Sequence, residues 1–170
     1  LQSIRSEIDP TVLKGTVILV HVANLPSFLG RTIYYSPVDG KNLNRMFPGD
    51  AQGTLSQRIA HQITTKVIDQ ADYLIDLHSG DGNEALRPYV YMPVTGNAGF
   101  DQKIKGLAVA FGLDHIVIDT GPQHASGPSL FSDQTALERG IPAITTETGQ
   151  SGSNDPYWSG LAKSGIWNVL

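Results

Sequence analysis

Short β-branched apolar runs alternate with amphipathic stretches of helical period along this chain, and that alternation restricts it to an α/β layered fold. The run Gly15-Thr16-Val17-Ile18-Leu19-Val20-His21-Val22-Ala23-Asn24 is almost continuously apolar, as expected of a strand buried on both faces. Tyr73 to His78, Pro88 to Met92, His115 to Asp119 and Ile141 to Glu147 read as further strands. Thr54 with Gln57 three residues later forms a capping box. Ile59, Ala60, Ile63, Val67, Ile68 and Ala71 then repeat at helical spacing, which predicts a helix over residues 55 to 70. A second helix places Ile104, Leu107, Ala108 and Phe111 on one stripe within Phe100 to Phe111 and stops at Gly112. Others are predicted over Ser129 to Arg139, ending at Gly140, and over Tyr157 to Leu170. Leu1 to Ile8 reads as helical turns closed by Asp9-Pro10. Residues 25 to 53 carry Pro26, Gly30, Pro37, Gly40, Pro48, Gly49 and Gly53 and read as one long loop, of the kind that usually has a function.

A chain of 170 residues with 40% hydrophobic content suits one domain with one core. The 12 basic residues are outnumbered by 16 acidic ones and form no run, so nucleic acid is not an expected partner. No apolar stretch approaches the roughly 18 residues of a membrane span, and the first residues lack the layout of a signal peptide. A soluble, cytoplasmic protein is the expectation. Without cysteine, any metal site must draw on His, Asp and Glu. Both ends break off in mid-pattern, so the chain is expected to be part of a longer protein. Oligomeric state is not legible.

Three stretches carry chemistry. In Ile75-Asp76-Leu77-His78 the twofold period of a strand puts Leu74, Asp76 and His78 on one face, so an imidazole and a carboxylate stand together at a strand end. Carboxyl ends of strands are where ligands bind in open α/β sheets, and this pairing suits a metal or a proton transfer. A strand-end histidine that only bonds a loop is the plainer alternative. In Asp39-Gly40-Lys41-Asn42-Leu43-Asn44-Arg45-Met46-Phe47-Pro48-Gly49, the Asn44 carboxamide beside the planar Arg45 guanidinium could grip a substrate carboxylate. Arg45 pinning its own loop through carbonyls is the competing reading. In Thr146-Glu147-Thr148-Gly149, Glu147 just past an apolar strand could act as a general base if burial raised its pKa, or could simply be solvated.

In their order and spacing, Asn24-Leu25-Pro26, the Asp39 to Gly49 stretch, Ile75-Asp76-Leu77-His78-Ser79 and Thr146-Glu147-Thr148-Gly149 resemble the succinylglutamate desuccinylase/aspartoacylase family. The resemblance runs over nearly the whole chain. It implies a zinc carboxypeptidase-like fold, a mixed sheet flanked by helices, of which residues 1–170 would be a single partial catalytic domain. It also implies cleavage of an amide bond to release a carboxylic acid. The Asp-Gly-Lys-Asn-Leu-Asn-Arg wording is most similar to bacterial deacylases acting on N-acylated amino acids, so a small N-acyl amino acid is the implied partner.

Carried over, the resemblance makes His78 a zinc ligand, Asn44 and Arg45 the carboxylate clamp, and Glu147 the general base and acid. Arg31 becomes the arginine that polarises the scissile carbonyl, and Asp76 the group that orients a ligand imidazole. The family's first two zinc ligands come from a His-x-x-Glu motif, which does not occur here. Two ligands of the one zinc ion therefore lie outside this chain, which alone is expected to be inactive. His21, His61, His115 and His124 do not have the spacing to replace them. His21 is expected as a hydrogen-bonded core imidazole, His61 as a surface or boundary residue inside the amphipathic helix, and His124 in a flexible loop that could border a site. Arg139 reads as a cation at a helix C-terminus. Two other classes stay open: a noncatalytic carboxylate-binding or scaffold protein with an incomplete metal site, and a metal-independent hydrolase using Ser79, His78 and Asp76.

Overall fold

The computed structural model describes residues 1–121 and 130–170. In chain order the helices are α1 (Gln2–Glu7), α2 (Leu25–Gly30), α3 (Leu55–Lys66), α4 (Ala98–Phe111), α5 (Ser132–Glu138) and α6 (Pro156–Val169). The strands are β1 (Leu74–His78), β2 (Tyr89–Pro93), β3 (Ile116–Asp119) and β4 (Ala143–Glu147), and short 3-10 turns occupy Leu43–Arg45 and Ile68–Gln70. The strands form one sheet in the order β1-β4-β2-β3. β1 runs parallel to β4 and β2 parallel to β3, whereas β2 and β4 are antiparallel, so the sheet is mixed as expected.

Alternation along the strands sorts the core into two layers. Ile144 of β4, with Ile75 and Leu77 of β1, joins Val90, Met92, Ile104, Leu107, Phe111 and Ile166 on the side of α4 and α6. Ala143 of β4 and Leu74 of β1 join Leu43, Phe47, Ala60, Ile68, Ala136 and Ile141 on the side of α3 and α5. Asp76 and His78 share the face of Leu74, so both look toward α5.

Local signals explain most boundaries. The α4 stripe is buried throughout, the Asn97 side chain accepts the Phe100 N–H at 3.2 Å, and Gly112 ends the helix at φ 84°. The Thr54 N–H donates to Gln57 Oε1 at 2.9 Å, as the capping box requires. A Cβ on Gly165 of α6 would lie 2.4 Å from the Phe111 ring, so α4 and α6 approach at a distance that only glycine permits.

The expected strand over residues 15 to 24 is not formed. Its β-branched composition keeps the backbone extended, but a ladder needs a neighbour. Among the described residues no backbone hydrogen bond engages residues 16 to 22. Ile18 and Val22 are 44% and 38% exposed, and His21 is exposed rather than part of the core. A groove of about 1740 Å³ is lined by Thr16–Val20 and by Tyr73–His78 of the β1 edge, and it extends to Asn44 and Ser132.

The loop expected over 25 to 53 contains α2, which begins where the Asn24 side chain accepts the Ser27 N–H and Pro26 presets the first turn. The helix expected over 55 to 70 breaks at β-branched Val67 (φ −122°, ψ −65°) and resumes as a 3-10 turn. α5 starts at Ser132, and Ser129 and His124 lie outside the described residues. Among the described residues no helix is long and apolar enough to cross a membrane.

Candidate active site

His78 and Glu147 end β1 and β4 and are direct register partners. Side chains of parallel register partners point the same way from strands about 4.8 Å apart. Both groups therefore emerge from one sheet end on the α5 side. His78 Nε2 lies 3.1 Å from Asp76 Oδ2, which uses one ring nitrogen, and among the described residues no hydrogen bond occupies Nδ1.

The charges at this end are tightly interdependent. Burial alone would pull the His78 imidazole down, but the Asp76 carboxylate, with Glu147 and Asp133, outweighs it and raises the ring to about 9. Burial likewise works against the Asp76 charge, yet the His78 ring and the Ser132 hydroxyl hold that carboxyl below its ordinary value. Glu147 goes the other way. Burial pushes its carboxyl up, and Glu84, Asp81 and Asp76 add to this against the opposing pull of His78. Among the described residues its buried Oε2 has no hydrogen-bond partner.

The Asn44–Arg45 segment reaches this end through α5 and the residues before it. The Phe47 N–H donates to the Leu130 carbonyl at 3.3 Å, and the Ser132 N–H donates to Asn44 Oδ1 at 3.0 Å. The Arg45 guanidinium lies 4.4 Å from the centre of the Phe131 ring, a cation–π contact, and its Nη1 donates to the Asn44 carbonyl at 2.7 Å. Arg45 thus combines the loop-pinning role with an exposed, oriented fork. The Ser132 hydroxyl donates to Asp76 Oδ2. Thr145 on β4 donates to Asp133 Oδ2 at 3.2 Å, a further α5-to-sheet tie.

Sequence reasoning missed Phe131, Ser132 and Asp133. A Ser-Asp pair at a helix start reads as capping, and no spacing rule links Ser132 to partners 56 and 88 positions away. Arg31 sits exposed in left-handed conformation (φ 50°) at the end of α2, and among the described residues no hydrogen bond or ion pair joins it to His78, Asn44 or Glu147. Arg87 pairs with Asp114 at 2.8 Å, and His115 Nδ1 lies 2.8 Å from the same carboxylate. Arg139 bonds Asp69 at 2.6 Å and the Thr135 carbonyl at 3.0 Å, as a cation at the end of α5. His61 is half-buried on α3. No described hydrogen bond joins Ser79 to His78, so the Ser79 hydrolase constellation is not assembled among the described residues.

Among the described residues no three His, Asp or Glu side chains cluster to hold a metal. The His78 ring fits a zinc ion as one ligand once its Nδ1 proton is displaced: among the described residues nothing else bonds Nδ1, and Asp76 fixes the ring from Nε2.

The α/β sheet thus sets an Asp-x-His strand end beside a half-buried glutamate. The succinylglutamate desuccinylase/aspartoacylase catalytic domain model matches residues 1–164, and the chain belongs to that family. An N-alpha-acetyl-L-2,4-diaminobutyric acid deacetylase from Halomonas elongata is 33% identical over 172 residues, spanning 100% of this chain and 48% of that protein. A succinylglutamate desuccinylase/aspartoacylase structure from Rhodobacter sphaeroides superposes with a TM-score of 0.89 at 29% identity, covering 99% of this chain and 48% of that one. The product-bound ectoine utilization protein EutE from Ruegeria pomeroyi gives a TM-score of 0.89 at 27% identity, covering 99% of this chain and 50% of that one. The chain thus spans about half the length of the relatives it matches.

Proposed function

We propose that residues 1–170 form part of the catalytic domain of a zinc-dependent deacylase that hydrolyses the amide of an N-acylated amino acid or a similar small substrate. The observation that carries this reading is the register pairing of His78, oriented by Asp76, with Glu147, whose buried Oε2 has no partner among the described residues. Family membership supports amide hydrolysis, and the N-acetylated diamino acid named for the Halomonas elongata relative supports the substrate class.

Zinc, when bound, supplies Lewis acidity that acidifies water and polarises an amide oxygen. His78 would offer Nδ1 as one ligand, and the other two protein ligands would come from outside residues 1–170. Glu147 takes the proton of the attacking water at Oε2 and returns it to the leaving nitrogen, a task suited to a carboxyl raised by burial. Arg45 and the Nδ2 donor of Asn44 hold the substrate carboxylate, which places the amide near Glu147. The resemblance alone supports Arg31 as the cation beside the scissile carbonyl. With one ligand of three, residues 1–170 alone bind zinc weakly and do not turn over. The experiment is hydrolysis of a panel of N-acyl amino acids by the full-length protein with and without chelator. Release of free amino acid that stops on chelation supports the reading, and carboxylate binding without hydrolysis supports a noncatalytic binding protein instead.

A further inference from the structure

Ser132 is 7% exposed at the first position of α5, and its hydroxyl does no capping. The N-cap position belongs to Phe131, which has no side chain able to cap, although serine is among the residues that favour that place. The hydroxyl instead crosses to the sheet and donates to Asp76 Oδ2, the oxygen that faces His78 Nε2. The backbone N–H of the same residue donates to Asn44 Oδ1. That second bond decides which way the Asn44 carboxamide points: with Oδ1 committed, Nδ2 is the edge left to donate.

We propose that Ser132 is a positioning residue that sets both ends of the site at once, its hydroxyl holding the Asp76 carboxylate against His78 and its amide presenting the Asn44 donor. The inference rests on the deacylase reading above and adds to it. A carboxylate that orients a ligand imidazole typically contributes roughly 10- to 100-fold in metal affinity or activity, and a group that fixes that carboxylate, one bond further out, contributes a part of this. Because the amide bond to Asn44 survives any side-chain change, the hydroxyl is separable: its loss acts at the His78 end while the carboxylate clamp is kept.

The test uses the full-length protein with Ser132→Ala and Ser132→Thr, and zinc affinity measured by competition with a chromophoric chelator. Ser132→Ala is expected to bind zinc roughly three- to tenfold more weakly and to lower kcat, with KM within twofold of wild type. Ser132→Thr, which keeps the hydroxyl, is expected to restore zinc affinity. Should Ser132→Ala fail to fold by circular dichroism, Ser132→Val against Ser132→Thr makes the same comparison at matched shape, with Val the weaker zinc binder. Equal zinc affinity with and without the hydroxyl overturns the proposal while leaving the deacylase reading intact. A wild-type protein that binds no zinc overturns both.

Discussion

His78 and Glu147 stand opposite each other in register where β1 and β4 end, and Asp76 meets the His78 ring from two residues earlier on the same face. The proposed base, its Oε2 without a partner among the described residues, is thereby fixed beside the proposed metal ligand by sheet geometry and not by a flexible loop.

Glu147→Gln keeps the shape and removes the proposed base. In the full-length protein kcat should fall roughly 10²- to 10⁴-fold, the usual contribution of a positioned general base, with little change in fold. Because burial raises the Glu147 carboxyl above its ordinary 4.5, the acid limb of kcat/KM should lie above pH 4.5. A variant as fast as wild type across the pH profile would remove Glu147 from the mechanism.

Arg45→Ala should act on binding. Hydrogen bonds to charged groups contribute about 1.5–3 kcal/mol, so KM should rise roughly 10- to 100-fold with a smaller effect on kcat. Steady-state kinetics on a good substrate checks this, and a change confined to kcat would argue against the clamp.

Much of this was legible in the sequence. Period-two alternation placed Asp76 and His78 on one face, and the strand ending at Glu147 was readable from Ile141-Pro142-Ala143-Ile144. The turn of α4 at Gly112 and its buried stripe followed from spacing alone. The extended run at 16 to 22 shows the limit: composition fixes backbone conformation, whereas strand status depends on a neighbour that no local pattern reveals. Ser132 was illegible for a related reason, since its partners Asn44 and Asp76 are brought together only by the packing of α5 on the sheet. Phe131 beneath Arg45 likewise has no local signal.

Asp39 ties the loop before the proposed clamp to the start of α3, accepting the Ser56 N–H at 2.7 Å and the Ser56 hydroxyl at 2.8 Å. Slight burial opposes its charge, but the Ser56 bonds, with Thr54 and Lys41, lower its carboxyl from 3.8 to about 2. A lowered carboxyl stabilises the fold above the unfolded value, so this contribution is complete above pH 3.8 and disappears as pH falls toward 2. Asp39→Ala should cost about 1 kcal/mol near neutrality, as loss of a helix cap does, and the difference from wild type should shrink in acid. Denaturant titrations at both pH values measure it. An equal difference at both would point to packing, not charge.

Gly165→Ala drives a methyl group into the Phe111 ring. Overpacking of this kind costs about 1–3 kcal/mol, so thermal unfolding should move to lower temperature without altering the proposed site residues. An unshifted midpoint would mean that α6 can move away from α4 at no cost.

The metal content of the full-length protein and of its His78→Ala variant, measured by elemental analysis after equilibration with zinc and removal of the excess, tests the central claim most directly. One zinc ion per chain in the wild type and none retained in His78→Ala is the predicted result. A variant that keeps its full zinc complement would contradict the assignment of His78 as a ligand.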